Sequence, residues 1–477
     1  MPCFYGSTAN EDARMLIQDV HVGSIIYFAW SNDLSSLEQV QHLSQSLQRL
    51  STKIPLLIAI DQEGGSVSRL TTCEYTIFPS QRALAMTKDP NLATATAYAI
   101  GQELRCSGIH MNLAPVVDIA SNLQSSIIGI RSFGSDPDTV IAFGRAALQG
   151  YQQAHVATAL KHFPGHGDVD IDSHFALPYL RKSNDELHAM ELRPFQALLH
   201  NTDAIMIAHL MVPALDPEHC SSLSSKTLSL LRDQWGFQGV IISDSLTMEG
   251  VLTQSAGNAS EAAICALQAG CDLLIFGETR LDPSQKLLSP QEIASIHHSI
   301  VDAVRTGRLL ESRIHEAAMR VLALKERYID SYSTIFSSQE HQMLAKQIAQ
   351  QAMQSTVHHP IPPYDTCTIF APYYLQSILT HTSLANVHYF DHTHPIYVDA
   401  IDTDLIIAFS YNAWQYTKQM QFLQHLSQKP LILIATKDPQ DVEAFPHAYA
   451  TCATYDQTRF SLENAVDWLQ RILHKTN

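Results

Sequence analysis

The sequence is short of basic residues and lacks any long apolar segment. Its 477 residues include 30 Lys and Arg against 47 Asp and Glu, a formal net charge of −17. Such an acidic chain is a poor partner for nucleic acids and for anionic membrane surfaces. No apolar run approaches the roughly 20 residues that a membrane-spanning helix needs, and residues 1–6 resemble no signal peptide. We therefore expect no nucleic-acid partner and no membrane partner.

The eight cysteines are scattered and form no CxxC pair. They stand at positions 3, 73, 106, 220, 265, 271, 367 and 452. Disulfide frameworks belong to secreted proteins and oxidising compartments, whereas isolated cysteines behave as small buried hydrophobes. With no signal-like N-terminus, this pattern predicts reduced, mostly buried thiols in a cytoplasmic protein.

Segments that predict strands alternate with segments that predict helices across residues 1–330. Several of these strands are continuous apolar runs, which suit parallel strands buried on both faces. The alternation predicts a (β/α)8 TIM-type barrel as the catalytic domain. Only residues 1–5 are available for the first of its eight strands, so we expect a barrel that is incomplete at this strand, or a start codon placed too late. The other predicted strands are Ser24–Phe28, Pro55–Asp61, Ile109–Val117, Val156–Leu160, Ala204–Ala208, Val240–Ser243 and Cys271–Phe276.

The rest of the chain predicts a second, smaller domain. Residues 331–365 are expected to form a linker and a connecting helix, Glu340–Val357. Short apolar strands between helical segments then predict a small parallel α/β sandwich over residues 366–477. It carries no glycine-rich phosphate loop, so a bound dinucleotide is not expected. The predicted fold class is α/β, a TIM-type barrel followed by a sandwich of structural role.

One polar loop carries more chemistry than any other segment. From Lys161 to His174 it contains three histidines, three aspartates and a lysine, and it follows a buried strand. Catalytic groups are commonly carried on loops of this kind. A solvated surface loop is one interpretation. A metal site is a second, and its candidate ligands are His162, His166, Asp168 and His174.

A third interpretation of this loop is acid–base catalysis on a movable segment. Gly165 and Gly167 would act as its hinges. Asp172 stands two residues before His174, where a carboxylate can accept the Nδ1 proton and leave Nε2 to donate. The same carboxylate would favour the imidazolium form. The pair would then supply an acid suited to neutral pH.

The loop KHFPGHGDVDIDSHFALP resembles the signature loop of family 3 glycoside hydrolases of the β-N-acetylglucosaminidase type. The resemblance extends to further blocks, which occur in the order typical of the family. These blocks are Ile58–Gly65 with Arg69, Asn112–Asp118, Arg131–Gly134 and Gly239–Met248. Agreement at so many places indicates family membership, and the resemblance covers the predicted barrel.

The resemblance implies the catalytic residues. Asp244 corresponds to the family's nucleophile and His174 to its acid/base, with Asp172 to orient His174. A nucleophile and an acid/base acting in turn would retain the anomeric configuration. The structural alternative for Asp244 is an N-cap for the helix that follows it.

The resemblance also implies a set of sugar-binding residues. Two of them have structural alternatives, because Arg69 could pair with Glu63 and Arg131 with Asp136. His209 is a further candidate, since it follows a predicted strand. The full set is Asp61, Arg69, Arg131, Lys161, His162 and His209.

The family resemblance implies an exo-acting β-N-acetylglucosaminidase that removes terminal GlcNAc from muropeptides during cytoplasmic cell-wall recycling, with no metal or organic cofactor. Alternatives are a family 3 β-glycosidase of other specificity or a phosphorylase, since a histidine acid/base does not repel phosphate as a carboxylate would. A metal-dependent barrel hydrolase built on His162, His166 and His174 is another alternative. A binding protein without catalysis is a fourth. The oligomeric state is left open.

Overall fold

Seven parallel strands form a nearly closed barrel in the first part of the chain. They pair in chain order from β1 to β7, each with the next. The computed structural model describes residues 1–51, 53–122, 127–169, 173, 175–277, 286–329, 335–380, 386–391, 393 and 402–474. The barrel strands are β1 Ser24–Tyr27, β2 Leu57–Ile60, β3 Met111–Asn112, β4 Ala157–Phe163, β5 Ala204–Ile207, β6 Val240–Ser245 and β7 Leu273–Ile275.

Alternate side chains of these strands fill two separate apolar layers. Ile25 and Ile58 point into the layer between strands and helices. Ile26 and Leu57 belong to a second cluster, which fills the inside of the barrel. Because both faces are buried, the strands need apolar residues at every position, and this is why they were predictable as continuous runs.

Residues 1–3 fill the gap between β7 and β1. The Cys3 amide donates to the carbonyl oxygen of Phe276 at 3.3 Å, and the Ile26 amide donates to that of Pro2 at 3.1 Å. Pro2 and Phe276 form a single parallel bridge. A single bridge therefore stands where a full strand would close the ring, as expected for a barrel that is incomplete at its first strand.

Helices surround the barrel, and several begin at a capping residue followed by proline. Asp89, Asp136 and Ser289 each accept an amide hydrogen bond at an N-cap and are each followed by a proline. The helices of this part are α1 Glu11–Arg14, α2 Leu37–Leu50, α3 Gln81–Met86, α4 Pro90–Cys106, α5 Pro137–Gln153, α6 Asn184–Ala189, α7 Leu192–Leu198, α8 Ser225–Ser229, α9 Glu249–Leu252, α10 Ala259–Ala269, α11 Pro290–Arg305 and α12 Glu311–Tyr328.

A six-stranded mixed sheet forms the second part, in the order β10-β9-β11-β12-β13-β8. Its neighbouring strands are parallel except β8, which runs antiparallel to β13. The strands are β8 Gln354–Val357, β9 Cys367–Pro372, β10 Val387–Phe390, β11 Leu405–Ser410, β12 Leu431–Ala435 and β13 Ala450–Ala453. The helices are α13 Ser338–Ala352, α14 Gln376–Leu379, α15 Thr417–Leu426, α16 Gln440–Glu443 and α17 Arg459–His474.

The second sheet confirms a smaller α/β domain but corrects two of its details. The helix predicted over Glu340–Val357 ends at Ala352, and the residues after Met353 form β8. The sheet is therefore not purely parallel. Strand β8 also lies inside the segment 331–365 that was predicted as a linker, so the boundaries at 330 and 366 stay predictions.

The cysteines and helices also bear on two expectations from the sequence. All eight thiols are free, and four of them, Cys3, Cys220, Cys271 and Cys452, are buried while Cys73 is exposed. Half of the thiols are thus fully buried, fewer than expected. In the described ranges, no helix combines the length and the apolar character of a membrane span.

Candidate active site

Charged side chains collect where the barrel strands end. Asp61 directly follows β2. Lys161 and His162 are among the last three residues of β4, and Asp244 lies near the end of β6. Parallel strands of a barrel all end at the same rim, where active sites of this architecture lie. The sequence-based placement of these four residues at strand ends therefore agrees with the structure.

Lys161 is fixed between two carboxylates. Its Nζ lies 2.8 Å from Asp61 Oδ1 and 2.6 Å from Glu63 Oε1. Only 2% of the Lys161 side chain is exposed, so its charge is compensated by these two groups and not by water. A buried ammonium with two carboxylate partners stays in one position, which suits a group that must present its charge at a fixed point.

Arg131 forms a two-pronged ion pair with Glu63. The Nε and NH2 groups of Arg131 donate to the two Glu63 oxygens at 2.9 and 2.8 Å. Burial alone would raise the pKa of Glu63, but Arg131 and Lys161 together lower it well below its usual range. The alternative partner Asp136 instead caps α5, where it accepts from the Thr139 amide at 2.9 Å.

Arg69 lies at the same end of the barrel. Its NH2 group is 3.9 Å from Asp61 Oδ2, and its guanidinium carbon lies 5.6 Å from the centre of the Phe28 ring. The ion pair of Arg69 that the structure shows is therefore with Asp61, in place of the structural alternative with Glu63. Arg69 thus extends the charged cluster of Asp61, Glu63, Arg131 and Lys161.

His162 is held by a buried aspartate. Its Nδ1 donates to Asp118 Oδ2 at 2.6 Å, and its Nε2 lies 3.4 Å from Arg131 NH2. Asp118 also accepts from the His166 amide at 2.7 Å. Burial would raise the pKa of Asp118, but the neighbouring His162 ring outweighs it and holds that pKa below the ordinary value. One carboxylate therefore fixes both the ring of His162 and the backbone that follows it.

The two loop glycines occupy positions with no room for a side chain. A Cβ on Gly165 would come within 2.6 Å of Glu191 Cβ, and one on Gly167 within 1.8 Å of the Ile119 carbonyl oxygen. This packing accounts for both glycines without a hinge, and the hinge interpretation stays a prediction. The glycines allow the base of the loop to pack closely against its neighbours.

Asp172 and His174 lie outside the described residues. Ser173, between them, is buried, and its carbonyl oxygen accepts from the Gly250 amide at 3.0 Å. Gly250 belongs to α9, which follows Asp244 in the chain. The end of the polar loop therefore contacts the segment that comes directly after the predicted nucleophile.

Asp244 is a strand residue and does not cap the following helix. Its Oδ1 accepts from the Ser245 amide at 2.7 Å, and its side chain is partly exposed. The N-cap position of α9 is Met248, so the capping alternative for Asp244 is not supported. A carboxylate on a rigid strand end and open to solvent is suited to attack a substrate.

His209 supports this strand end from inside the protein. It is fully buried, its Nε2 donates to the Ser245 carbonyl oxygen at 2.9 Å, and its Nδ1 accepts from the Ser222 hydroxyl at 2.7 Å. Both ring nitrogens are therefore engaged within the protein. We assign His209 to positioning of the backbone beside Asp244, in place of the predicted contact with sugar.

The model of the glycosyl hydrolase family 3 N-terminal domain matches residues 4–324, which include all seven barrel strands. The chain belongs to glycosyl hydrolase family 3. As a member of this family it is a glycoside hydrolase, and the resemblance deduced from the sequence blocks is confirmed.

Relatives in family 3 extend the comparison to known enzymes. Beta-hexosaminidase of Photobacterium profundum is 36% identical over 285 residues, 59% of this chain and 82% of that protein. Beta-hexosaminidase A of Pseudoalteromonas piscicida is 31% identical over 382 residues, which cover 75% of this chain and 63% of that longer protein. The structure of a glycoside hydrolase family 3 beta-N-acetylglucosaminidase from Paenibacillus sp. FPU-7 is 30% identical, with a TM-score of 0.84 over 98% of this chain and 94% of that one.

Two site residues had no assigned site role in the sequence-based prediction. Glu63 was considered only as a partner of Arg69, and Asp118 ended a recognised block but received no role. Asp118 closes an apolar segment, the same signal that identified Asp61 and Asp244, and that signal applied evenly along the chain would have found it. Glu63 lies two residues beyond Asp61, where this signal does not reach.

Proposed function

We propose that this family 3 chain is a retaining exo-β-N-acetylglucosaminidase that hydrolyses terminal β-linked GlcNAc in two steps. The observation that carries the proposal is Asp244, a partly exposed carboxylate at the end of β6, in a segment whose Gly250 bonds to Ser173 of the polar loop. The names of the family 3 relatives support the choice of sugar. The mechanism follows from the two groups that glycoside hydrolysis requires.

Asp244 attacks the anomeric carbon in the first step and forms a covalent glycosyl-enzyme. Its position on a strand limits its movement, and the support of the Ser245 carbonyl by His209 limits it further. A nucleophile held at one distance from the reacting carbon loses little entropy on the way to the transition state.

His174 donates a proton to the leaving oxygen and then, as a neutral ring, activates the water that releases the sugar. Asp172 orients the ring and favours its charged form in the first step. One support for this assignment is the Asp-x-His sequence. The other is the hydrogen bond from the Gly250 amide to the carbonyl oxygen of Ser173, the chain neighbour of His174, since consecutive Cα atoms are only about 3.8 Å apart.

The charged cluster binds the sugar. Lys161 and Arg131 present donors, and Asp61 presents acceptors, in a geometry fixed by Glu63. Fixed donor and acceptor groups suit vicinal hydroxyls and an amide carbonyl, and they discriminate against sugars that leave a buried group unpaired. Arg69 and His162 complete the proposed binding set.

The substrate is proposed to be a GlcNAc-containing muropeptide, cleaved in the cytoplasm during cell-wall recycling. This part rests on the family resemblance of the sequence. Purified muropeptides with and without a terminal GlcNAc test it, because cleavage of the first kind alone is expected.

The metal-dependent alternative has less support. The Nε2 of His162 lies 3.4 Å from the Arg131 guanidinium, and a positive charge at that distance opposes a bound cation. Among the described residues, the one group with metal-ligand spacing is Asp216, Glu218 and His219, which contains none of the predicted ligands. Activity that EDTA abolishes and zinc restores would favour the metal alternative.

The decisive experiment compares leaving groups in wild type and His174→Ala. A sugar alcohol needs the proton that His174 supplies, whereas a nitrophenolate leaves without it. The variant should therefore cleave a GlcNAc disaccharide roughly 10²–10⁴-fold more slowly, with a much smaller loss in the first step on nitrophenyl β-GlcNAc. Equal losses on both substrates would contradict the assignment.

Two further arms sharpen this experiment. Asp172→Ala should give a milder version of the same contrast, and Asp170→Ala is its matched control on the same loop, expected to change neither substrate's rate. A panel of aryl β-glycosides assayed with and without phosphate then separates hydrolysis of GlcNAc from the alternatives. A sugar phosphate as product would identify a phosphorylase.

A further inference from the structure

Helix α3 connects the second domain to the ion pair of Glu63 and Arg131. On its barrel side the buried Gln81 side chain bonds to two backbone segments. Its Nε2 donates to the Val116 carbonyl at 2.9 Å and also to the Arg131 carbonyl, while its Oε1 accepts from the Val116 amide at 3.2 Å. Gln81 therefore fixes the backbone of the residue whose guanidinium binds Glu63.

The residue before Gln81 is held by the second domain. Asp456 Oδ2 accepts from the Ser80 amide at 3.0 Å, and the Ser80 hydroxyl donates to the Tyr455 carbonyl oxygen at 2.7 Å. The same hydroxyl accepts from the Ala83 amide at 3.1 Å as the N-cap of α3. The loop that follows β13 thus fixes the first turn of a barrel helix.

Ser80 also lies against the loop that carries Glu63. The Gly65 amide donates to the Phe78 carbonyl oxygen at 2.7 Å, and a Cβ on Gly65 would come within 2.9 Å of Ser80 Cβ. The φ of Gly65 is 56°, a conformation that favours glycine. The start of α3 consequently contacts the segments of both Glu63 and Arg131.

Apolar packing joins the same elements. Ala83 of α3 forms a buried cluster with Ala352, Ala453 and Tyr455, and Met86 packs against it. Ala83 and Met86 belong to the barrel helix α3. Ala352, Ala453 and Tyr455 come from α13, β13 and the loop after β13. Removal of the second domain would therefore expose this face of α3 and also remove the two bonds that hold its N-cap residue Ser80.

We propose that the second domain positions Arg131, and with it the Glu63 pair, for sugar binding, through Asp456 and Gln81. Both are positioning residues, because they act on Arg131 through the backbone and touch no sugar. The inference rests on the proposed function, since it concerns how the GlcNAc site is held. The second domain, which the sequence predicted to have only a structural role, would then help to hold the sugar-binding residues in place.

The test uses the full chain and two variants. In Asp456→Asn an amide NH2 replaces one of two oxygens that face backbone N–H groups, those of Ser80 and Thr458. Gln81→Ala removes the link on the barrel side. We expect each to lower kcat/KM about tenfold, as for the loss of one well-placed hydrogen bond, mainly through a higher KM and weaker competitive inhibition by N-acetylglucosamine. The loss should be equal for disaccharide and nitrophenyl substrates.

Asp441→Asn is the matched control. Asp441 is buried, and its two oxygens likewise accept from backbone amides, those of Ala413 at 2.9 Å and Trp414 at 3.1 Å. These partners lie in the second domain, so the control perturbs that domain without removing a hydrogen bond to Ser80 or Gln81. We expect its KM to match that of wild type.

The KM values of the three variants decide between support for the inference and its rejection. Wild-type KM in both Asp456→Asn and Gln81→Ala, or an equal rise in Asp441→Asn, would overturn the inference while the proposed function stands. A wild type inactive on GlcNAc glycosides would overturn both. If Asp456→Asn does not fold, a wild-type KM in Gln81→Ala still overturns the inference, because the proposed link from the second domain to Arg131 runs through Gln81.

Discussion

The two ends of the barrel each bury a carboxylate among cations, with different consequences. At the carboxyl end of the strands, the Glu63 side chain is 1% exposed and binds Arg131 and Lys161. At the amino end, Asp272 precedes β7, is 0% exposed, and binds three arginines. These arginines are Arg232, Arg313 and Arg320. The same ionic chemistry therefore appears at both ends.

The difference lies in what the partners connect. Asp272 accepts from the Ile241 amide at 2.9 Å and binds Arg313 and Arg320, so it ties α12 to β6 and β7. Around Glu63, by contrast, the partners Arg131 and Lys161 lie at the rim where Asp244 also lies, and Lys161 binds Asp61 as well. An ion pair at this rim can serve a ligand, and one whose partners join secondary structure serves the fold.

The largest expected effect is at the carboxyl end, in Asp244→Asn. No other group can form the covalent intermediate, so turnover of every glycoside should fall below about a hundredth of wild type. The substitution is nearly isosteric, and the melting temperature should stay close to that of wild type. Steady-state assays with purified, folded protein measure it, and residual activity above that limit would remove Asp244 from the nucleophile role.

The matching change at the amino end is Asp272→Asn. It leaves three arginines without their counter-charge, which should cost about 3 kcal/mol of unfolding free energy, while kcat/KM of the folded protein stays near wild type. Urea unfolding measures the loss. Asp302→Asn, which breaks an exposed pair with Arg305, is the control and should be almost neutral. A large loss of kcat/KM in Asp272→Asn would contradict the division between the two ends.

Glu63→Gln should act mainly on binding. Arg131 and Lys161 would lose their shared partner, so KM for nitrophenyl β-GlcNAc should rise roughly 30-fold, in line with truncation of a desolvated charge pair. Asp136→Asn is the control, since Asp136 was the alternative partner of Arg131 but caps α5 instead. An equal rise in both variants would show that the ion pair is not specific to the site.

The smallest expected effect compares the pH dependence of stability at the two ends. The pKa of Glu63 is lowered, so its stabilisation is complete above the ordinary glutamate value of about 4.3 and is lost as the pH falls below it. At the amino end, burial raises the pKa of Asp203. Its contribution is greatest below the ordinary aspartate value of about 3.9 and declines as the pH rises through its folded pKa.

Urea unfolding between about pH 3 and pH 6 tests this opposition. The difference in unfolding free energy between wild type and Glu63→Gln should shrink towards acid, and that between wild type and Asp203→Asn should grow. Slopes of the same sign would mean that one of the two shifts has been assigned the wrong direction.

The apolar strands of the barrel were predictable because they are buried on both faces, and a pattern of burial is visible in sequence. Strand β8 was not, because all four of its residues are exposed and only pairing with β13 makes it a strand. The same limit applies in the site. The positions of Asp61 and Lys161 in the site could be predicted because each follows an apolar strand in the sequence. The Glu63–Arg131 pair, by contrast, joins residues 68 positions apart, a contact that no local signal reveals.

The close approach of Gly167 to the Ile119 carbonyl has a consequence for protein engineering. The loop after β4 and the segment after β3 interlock there, and Asp118 bonds to both His162 and His166. A graft of the β4 loop from a relative with another specificity would therefore meet a foreign surface unless residues 112–120 were exchanged with it. At this rim, the segments after β3 and β4 should therefore be exchanged together.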